Sequence, residues 1–146
     1  MSDQQVPVLM DRDSREWWLA LRRHELALQT CTDCGRLRWP SRAICNDCGS
    51  LEWRWTESRG TGTVVSWTVT HRPPSPQALV PYTVVLVRLD DQDDVFMPGG
   101  WNGPADGEGL AIGLHVRVGY QAVVDQHGED ATILRWEPSV GSGEEI

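Results

Sequence analysis

Apolar and polar positions change rhythm twice along the chain. Residues 13–27 carry a helical rhythm, with Trp17, Trp18, Leu21, Leu26 and Leu28 supplying the apolar face. Asp13 followed by Glu16 is the pattern of a capping box, so a helix is expected to open there and run to about residue 27. Two adjacent tryptophans cannot share a narrow seam, so this helix is expected to be wide-faced or to touch a partner. Before it, the short apolar patch at 6–10 is expected to lie extended against another surface. Residues 28–52 hold neither period. From residue 53 the rhythm shortens to two and β-branched residues take over. Strands are expected at 53–58, 62–71, 82–89, 95–98, 114–124 and 132–136. Turn-rich stretches separate them: Pro73-Pro74-Ser75-Pro76, residues 90–94 and residues 99–109. No second helix pattern exceeds two turns. Short strands at this spacing point to a small barrel, of which the five-stranded OB-fold is the commonest at this size.

The aperiodic stretch carries the one strong chemical motif. Cys31, Cys34, Cys45 and Cys48 are the only cysteines, and they form two C-x-x-C pairs ten residues apart. Each pair is followed by a glycine, Gly35 or Gly49, which accepts a positive φ just past the second thiol. Two such knuckles facing each other supply four thiolates in the tetrahedral set that a closed structural Zn²⁺ site uses. Iron in a rubredoxin-like site is the remaining metal reading, and disulfides would need an oxidising compartment. Four thiolates leave no open position, so such a metal does no chemistry. Metal loss is expected to unfold this ribbon while the barrel, with a core of its own, outlives it.

The fold expected is therefore mainly β with an N-terminal helix: a rubredoxin-like zinc ribbon followed by a five-stranded OB-fold barrel. The divisions are an N-terminal segment and helix at 1–27, the ribbon at 28–52, and the barrel with an acidic C-terminal tail at 53–146.

Charge separates two function classes. The chain has 146 residues and a net charge of −8. Residues 1–60 balance nine arginines against nine carboxylates, while residues 61–146 set four arginines against twelve. The barrel half therefore carries the whole excess. A ribbon joined to an OB-fold is a common nucleic-acid-binding pairing, and that module is the alternative function. An acidic barrel opposes it, because phosphate neutralisation supplies most nucleic-acid affinity. No apolar run reaches the roughly 20 residues of a membrane span, and no secretory signal is visible, so the cytoplasm is the expected location.

Candidate catalytic groups are few. No serine sits in a glycine-flanked elbow, and the cysteines are committed to metal. His24 falls on the expected helix and His127 in a polar turn, while His71 and His115 flank strands; a base role for either would need a nearby carboxylate. The run Asp90, Asp91, Asp93, Asp94 lacks the continuation of a calcium loop and reads as a solvated hairpin tip. Arg36, Arg38 and Arg42 cluster on the ribbon. Guanidinium forks suit the phosphates of coenzyme A, which makes them candidate coenzyme contacts. The alternative, which is favoured, is that they balance Asp33, Asp47 and the charge of a metal–tetrathiolate centre. Eight tryptophans stand against one phenylalanine. Trp17, Trp18 and Trp101 are the ones expected at an interface, together with the patch at 6–10.

In its order of elements the sequence resembles a bacterial and archaeal zinc-ribbon/OB-fold family associated with acyl-CoA enzymes, formerly a domain of unknown function. The stretches that carry the resemblance are Cys31-Thr32-Asp33-Cys34-Gly35-Arg36, Pro40-Ser41-Arg42-Ala43-Ile44-Cys45-Asn46-Asp47-Cys48-Gly49-Ser50, Gly62-Thr63-Val64-Val65-Ser66-Trp67-Thr68, Pro81-Tyr82 and Ile112-Gly113-Leu114-His115-Val116. The resemblance implies a non-catalytic accessory subunit. Such proteins occur fused to, or in complex with, thiolase-like enzymes, lipid-transfer-protein-type aldolases and MaoC-like enoyl-CoA hydratases. Several of those act in sterol side-chain degradation, and others assist acetoacetyl-CoA and hydroxymethylglutaryl-CoA synthesis. The OB domain then packs beside the enzyme's entrance and helps hold the acyl-CoA. No enzyme domain is visible in this sequence, so the thiolase or aldolase is expected as a separate chain in a hetero-oligomer.

Overall fold

The structure is a computed structural model, and it describes residues 5–76 and 78–139. The acidic tail expected at the C-terminal end lies outside the described residues.

The one helix among the described residues, α1 (Arg15–Arg22), is shorter than the sequence pattern suggests. Its N-cap is Ser14, not Asp13, and no side chain caps its first turn. The reason is local. The Ser14 hydroxyl donates to Asp11 Oδ1 at 2.8 Å, the Ser14 N–H donates to the same oxygen at 2.8 Å, and the Asp11 N–H donates back to Ser14 Oγ at 3.1 Å. That closed exchange precedes the helix and leaves Glu16 out. The helix stops because His24 adopts φ 61, and the N–H groups of residues 23–25 fold back onto Ala20 and Leu21. Leu26 precedes strand β1 (Ala27–Cys31) and Leu28 lies within it, so neither is helical.

All five residues of β1 are buried, because the strand is covered on both faces. It pairs antiparallel with β2 (Leu37–Arg38) on one side and β3 (Trp53–Glu57) on the other, giving a sheet ordered β2-β1-β3. The strand expected at 53–58 therefore exists but pairs into this small sheet, with Cys31 opposite Trp53 and Ala27 opposite Glu57.

The remaining strands are β4 (Thr61–Thr70), β5 (Tyr82–Leu89), β6 (Phe96–Trp101), β7 (His115–Val124) and β8 (Asp130–Pro138). They form a closed barrel ordered β4-β5-β6-β8-β7, in which only β6 and β8 run parallel. This is the five-stranded OB-fold, and closure removes the exposed edges. The period-2 pattern is plainest in β5, where Thr83, Val85, Val87 and Leu89 are buried and the residues between them are not. A bulge between Val64 and Ser66 resets the register of β4.

The core is continuous. Val64, Val85, Val87, Met97, Val116, Leu134 and Trp136 of the barrel form one buried cluster with Trp17, Leu21, Leu26 and Leu28. The barrel does not own a separate core, as the sequence reading had supposed. Trp17 and Trp101 are 6% and 4% exposed, so both belong to this core and neither is the interface residue expected of it. Trp18 meets Trp17 edge-on, with centroids 4.8 Å apart, and bridges to a second cluster of Val8, Val123 and Ala131. The patch at 6–10 is likewise partly consumed. Val8 is buried, and its N–H and C=O are both held by the Gln126 amide at 2.8 and 3.0 Å. Leu9 and Met10 stay exposed. Among the described residues no helix is long and apolar enough to cross a membrane.

Candidate metal centre

The two knuckles are built alike. In each, the N–H of the glycine donates to the C=O of the first cysteine, Gly35 to Cys31 at 2.8 Å and Gly49 to Cys45 at 2.9 Å. In each, the first cysteine's N–H donates to the carbonyl five residues on, Arg36 or Ser50, at 2.9 and 3.0 Å. The turn this requires needs φ of 81 at Gly35 and 78 at Gly49, the left-handed region where a side chain is strained. The second knuckle is held against the first by the Thr32 N–H donating to the Glu52 carbonyl.

The four Sγ atoms lie within 4.8 Å of one another. Cys31 and Cys48 are 3.6 Å apart, and Cys34 and Cys45 are 3.7 Å apart. Thiolates around one Zn²⁺ at about 2.3 Å in a tetrahedron would be about 3.8 Å apart. The bond of a disulfide is about 2.05 Å, so these are four free thiols and not two disulfides. Backbone donors favour the thiolate form. The N–H of Cys34 is the main cause that holds the Cys31 thiol down to about 6, and the N–H groups of Cys48 and Asp47 lower Cys45. At Cys34 and Cys48 the backbone donors are outweighed by burial and the neighbouring sulfurs, which raise the thiol, as expected of four thiols crowded together. The donor set therefore fits zinc.

The ribbon arginines are brought together but unequally engaged. Arg36, Arg38 and Arg42 all line a cavity of about 210 Å³ beside Cys45. Arg36 spans two carboxylates, Asp47 at 3.0 Å and Asp94 of the β5–β6 hairpin. Arg38 is 8% exposed. Its Nε donates to Gln29 Oε1 and its Nη2 to the Arg42 carbonyl, both at 2.8 Å, and its guanidinium lies 6.0 Å from the Trp53 ring centroid. The Arg42 N–H also donates to Gln29 Oε1, while its guanidinium makes no hydrogen bond or ion pair among the described residues. Asp33 is paired with the Ser50 hydroxyl, not with an arginine.

Sequence reasoning missed two residues that place the ribbon. Gln92, in the β5–β6 hairpin, accepts from the Leu37 N–H at 2.9 Å and donates to the Leu37 carbonyl at 2.8 Å. Gln29 orders the Arg38–Arg42 turn from inside β1. No spacing or composition marks either. The hairpin at 90–94 is a largely exposed turn, as expected, but three of its carboxylates are engaged. Asp90 accepts from the Thr61 hydroxyl at 2.7 Å, Asp91 from the Ser58 hydroxyl at 2.6 Å, and Asp94 from Arg36. Asp91 and Asp94 thereby fasten the exit loop and the ribbon to the barrel, while Asp90 stays within the barrel.

His71 and His115 have no carboxylate within hydrogen-bonding reach among the described residues. His24 stacks on Tyr120 with centroids 4.7 Å apart.

Two family models match the chain in succession. Residues 18–54 fit the family described as the ChsH2 rubredoxin-like zinc ribbon domain, and residues 55–121 fit the ChsH2 C-terminal OB-fold domain. The chain belongs to the ChsH2 family. A solved ChsH2-type chain, from the Ltp2-ChsH2(DUF35) aldolase, shares 31% identity and a TM-score of 0.78 with this one, covering 92% of this chain and 99% of that one. The 3-oxo-4,17-pregnadiene-20-carboxyl-CoA hydratase alpha subunit of Mycobacterium tuberculosis is 35% identical over 127 residues, 87% of this chain and 38% of its own. A protein of Thermomonospora curvata named as a probable enoyl-CoA hydratase alpha subunit is 40% identical over 82 residues, 56% of this chain and 26% of its own. The ChsH2 unit seen here thus spans about a quarter to two-fifths of the curated relatives it matches. The family's zinc ribbon, with its four cysteines gathered as described, fits zinc binding.

Proposed function

We propose that this chain is a non-catalytic accessory subunit that binds and supports a separate thiolase- or aldolase-like acyl-CoA enzyme. The observation that carries the reading is the match along 99% of a chain belonging to the Ltp2-ChsH2(DUF35) aldolase. The relative named for a pregnadiene carboxyl-CoA supports a steroid acyl-CoA as the setting, hence sterol side-chain degradation. Cys31, Cys34, Cys45 and Cys48 hold one structural Zn²⁺ with no open position, so the metal shapes the ribbon and polarises no substrate.

Of the three ribbon arginines, Arg42 is the proposed coenzyme contact. Arg36 is taken up by Asp47 and Asp94, and Arg38 by Gln29 and the Arg42 carbonyl. These two are proposed as structural.

The test is affinity purification of the tagged chain from its own host, with the captured chain identified by mass spectrometry. An acyl-CoA aldolase or thiolase in fixed stoichiometry is expected. The isolated chain should show no turnover of acyl-CoA thioesters, while the mixture should be more soluble or more active than the enzyme alone. Turnover by the isolated chain would overturn the accessory role.

A further inference from the structure

The charged groups around the ribbon cavity do not balance. The cavity, of about 210 Å³, is lined by Arg36, Arg38 and Arg42 and by two carboxylates, Asp47 and Asp94. One guanidinium takes both carboxylates: Arg36 Nε meets Asp47 at 3.0 Å, and its Nη2 meets Asp94. The Gln92 amide donates to the other oxygen of Asp94 at 2.7 Å. Neither carboxylate makes an ion pair with Arg38 or Arg42. The four thiols have donors of their own, the N–H groups of Cys34, Arg36, Cys48 and Ser50, and among the described residues no guanidinium hydrogen-bonds a sulfur.

That leaves Arg38 and Arg42 with no carboxylate. Arg38 is 8% exposed, and a buried cation is ordinarily paired because its desolvation is costly. Its Nε and Nη2 are used on Gln29 and the Arg42 carbonyl. Its Nη1 is buried and meets no protein acceptor. The Arg42 guanidinium, half-buried on the same cavity, has no partner among the described residues. Both groups only donate, so the ligand they suit is an acceptor. Two guanidiniums are matched by two negative charges. A carboxylate offers one, whereas a phosphate monoester carries close to two at neutral pH, spread over three acceptor oxygens. The cavity is smaller than the roughly 300–1,000 Å³ of sites that enclose a whole small molecule, so it takes one group of a larger one.

We propose that this cavity holds a terminal phosphate of a nucleotide-bearing ligand, gripped by the Arg42 guanidinium and by Arg38 Nη1. For the source of that phosphate the inference rests on the accessory reading above. On that reading the ligand is the acyl-CoA of the separate enzyme. The group is its ribose phosphomonoester, since the phosphates of the diphosphate bridge are internal and carry a single charge each. Arg38 thus keeps the turn in shape through Nε and Nη2 and reads the ligand through Nη1.

The experiment is titration calorimetry of the whole zinc-loaded chain at fixed ionic strength. The probes are coenzyme A, coenzyme A lacking its 3′-phosphate, adenosine 3′,5′-bisphosphate, inorganic phosphate and acetate. Coenzyme A should bind about tenfold more tightly than the analogue without the 3′-phosphate, and phosphate about tenfold more tightly than acetate. R42Q should weaken binding of the bisphosphate about tenfold. R88Q, which removes an exposed arginine outside the cavity, should leave it within about twofold. Unfolding curves check that each variant is folded. Arg38 needs no variant: its Nη proton resonances should shift and exchange more slowly with water when phosphate is added. If R42Q and R88Q weaken binding equally, or the analogue without the 3′-phosphate binds as tightly as coenzyme A, the phosphate site is wrong. If inorganic phosphate binds but the bisphosphate and coenzyme A do not, the coenzyme is wrong as its source. If no phosphate-bearing probe binds, the site falls, whatever enzyme the tagged chain captures. If coenzyme A binds as described but no acyl-CoA enzyme is captured, the accessory reading falls and the site stands.

Discussion

Gln92 fastens the ribbon to the barrel through one side-chain amide that meets both polar groups of Leu37. Replacing it with leucine leaves a half-buried N–H and C=O without partners, a cost of about 1–3 kcal/mol. The expected outcome for Q92L is faster amide exchange at Leu37 and Arg38 and faster loss of zinc to a chelator. Unchanged chelator kinetics would show that Arg36 and Asp94 hold the junction without it. The cysteines were legible at this scale because metal chemistry dictates their spacing. The glutamines were not: Gln92 looks like any polar residue in a polar loop and acts on a residue 55 positions away in sequence, and Gln29 lies in a strand that shows no alternation. The arginines lie between: their clustering was visible, but the burial of Arg38 depends on Gln29, which sits in a strand the sequence did not display.

At the scale of elements, legibility followed exposure. The strands β4 to β8 each have a wet face and a dry one, so alternation marked them to within a few residues. β1 is buried on both faces and shows no alternation, and its Leu28, with Leu26 just before it, was absorbed into a helix that ends before them. Trp17 was expected at an interface because two adjacent tryptophans cannot share a narrow seam. Its position in the core, edge-on to Trp18 and 5.6 Å from Trp39, gives a different expectation. W17A should cost about 3–5 kcal/mol in denaturant unfolding, the range for large aromatic truncations in a core. A loss under about 1 kcal/mol, joined to weakened partner binding, would return the indole to the interface.

For the molecule as a whole, the continuity of the core decides how it unfolds. Leu26 and Leu28, which lead into the first knuckle, pack in the same cluster as Trp136 and Val116. Removing the metal from Cys31, Cys34, Cys45 and Cys48 should therefore lower the midpoint of a single transition, with amides of β1 and β8 losing protection together. Amides of β8 that keep their original protection in chelator would show a barrel independent of its ribbon. The order of elements and the closed barrel were legible from the sequence; this sharing of one interior was not, because it arises from contacts between segments far apart in the chain.

The packing of α1 against β8 also sets a timetable. Trp17 and Leu21 are translated more than a hundred residues before Trp136, the side chain that completes their surroundings. At about 5–20 residues per second, the helix waits roughly 6–24 s for its covering strand. For that interval the ribosome holds a chain whose metal knuckles can already close, yet whose helix still lacks the barrel side chains that cover it. Newborn copies of this protein are therefore expected to bind the chaperones that greet emerging chains until β8 has been made.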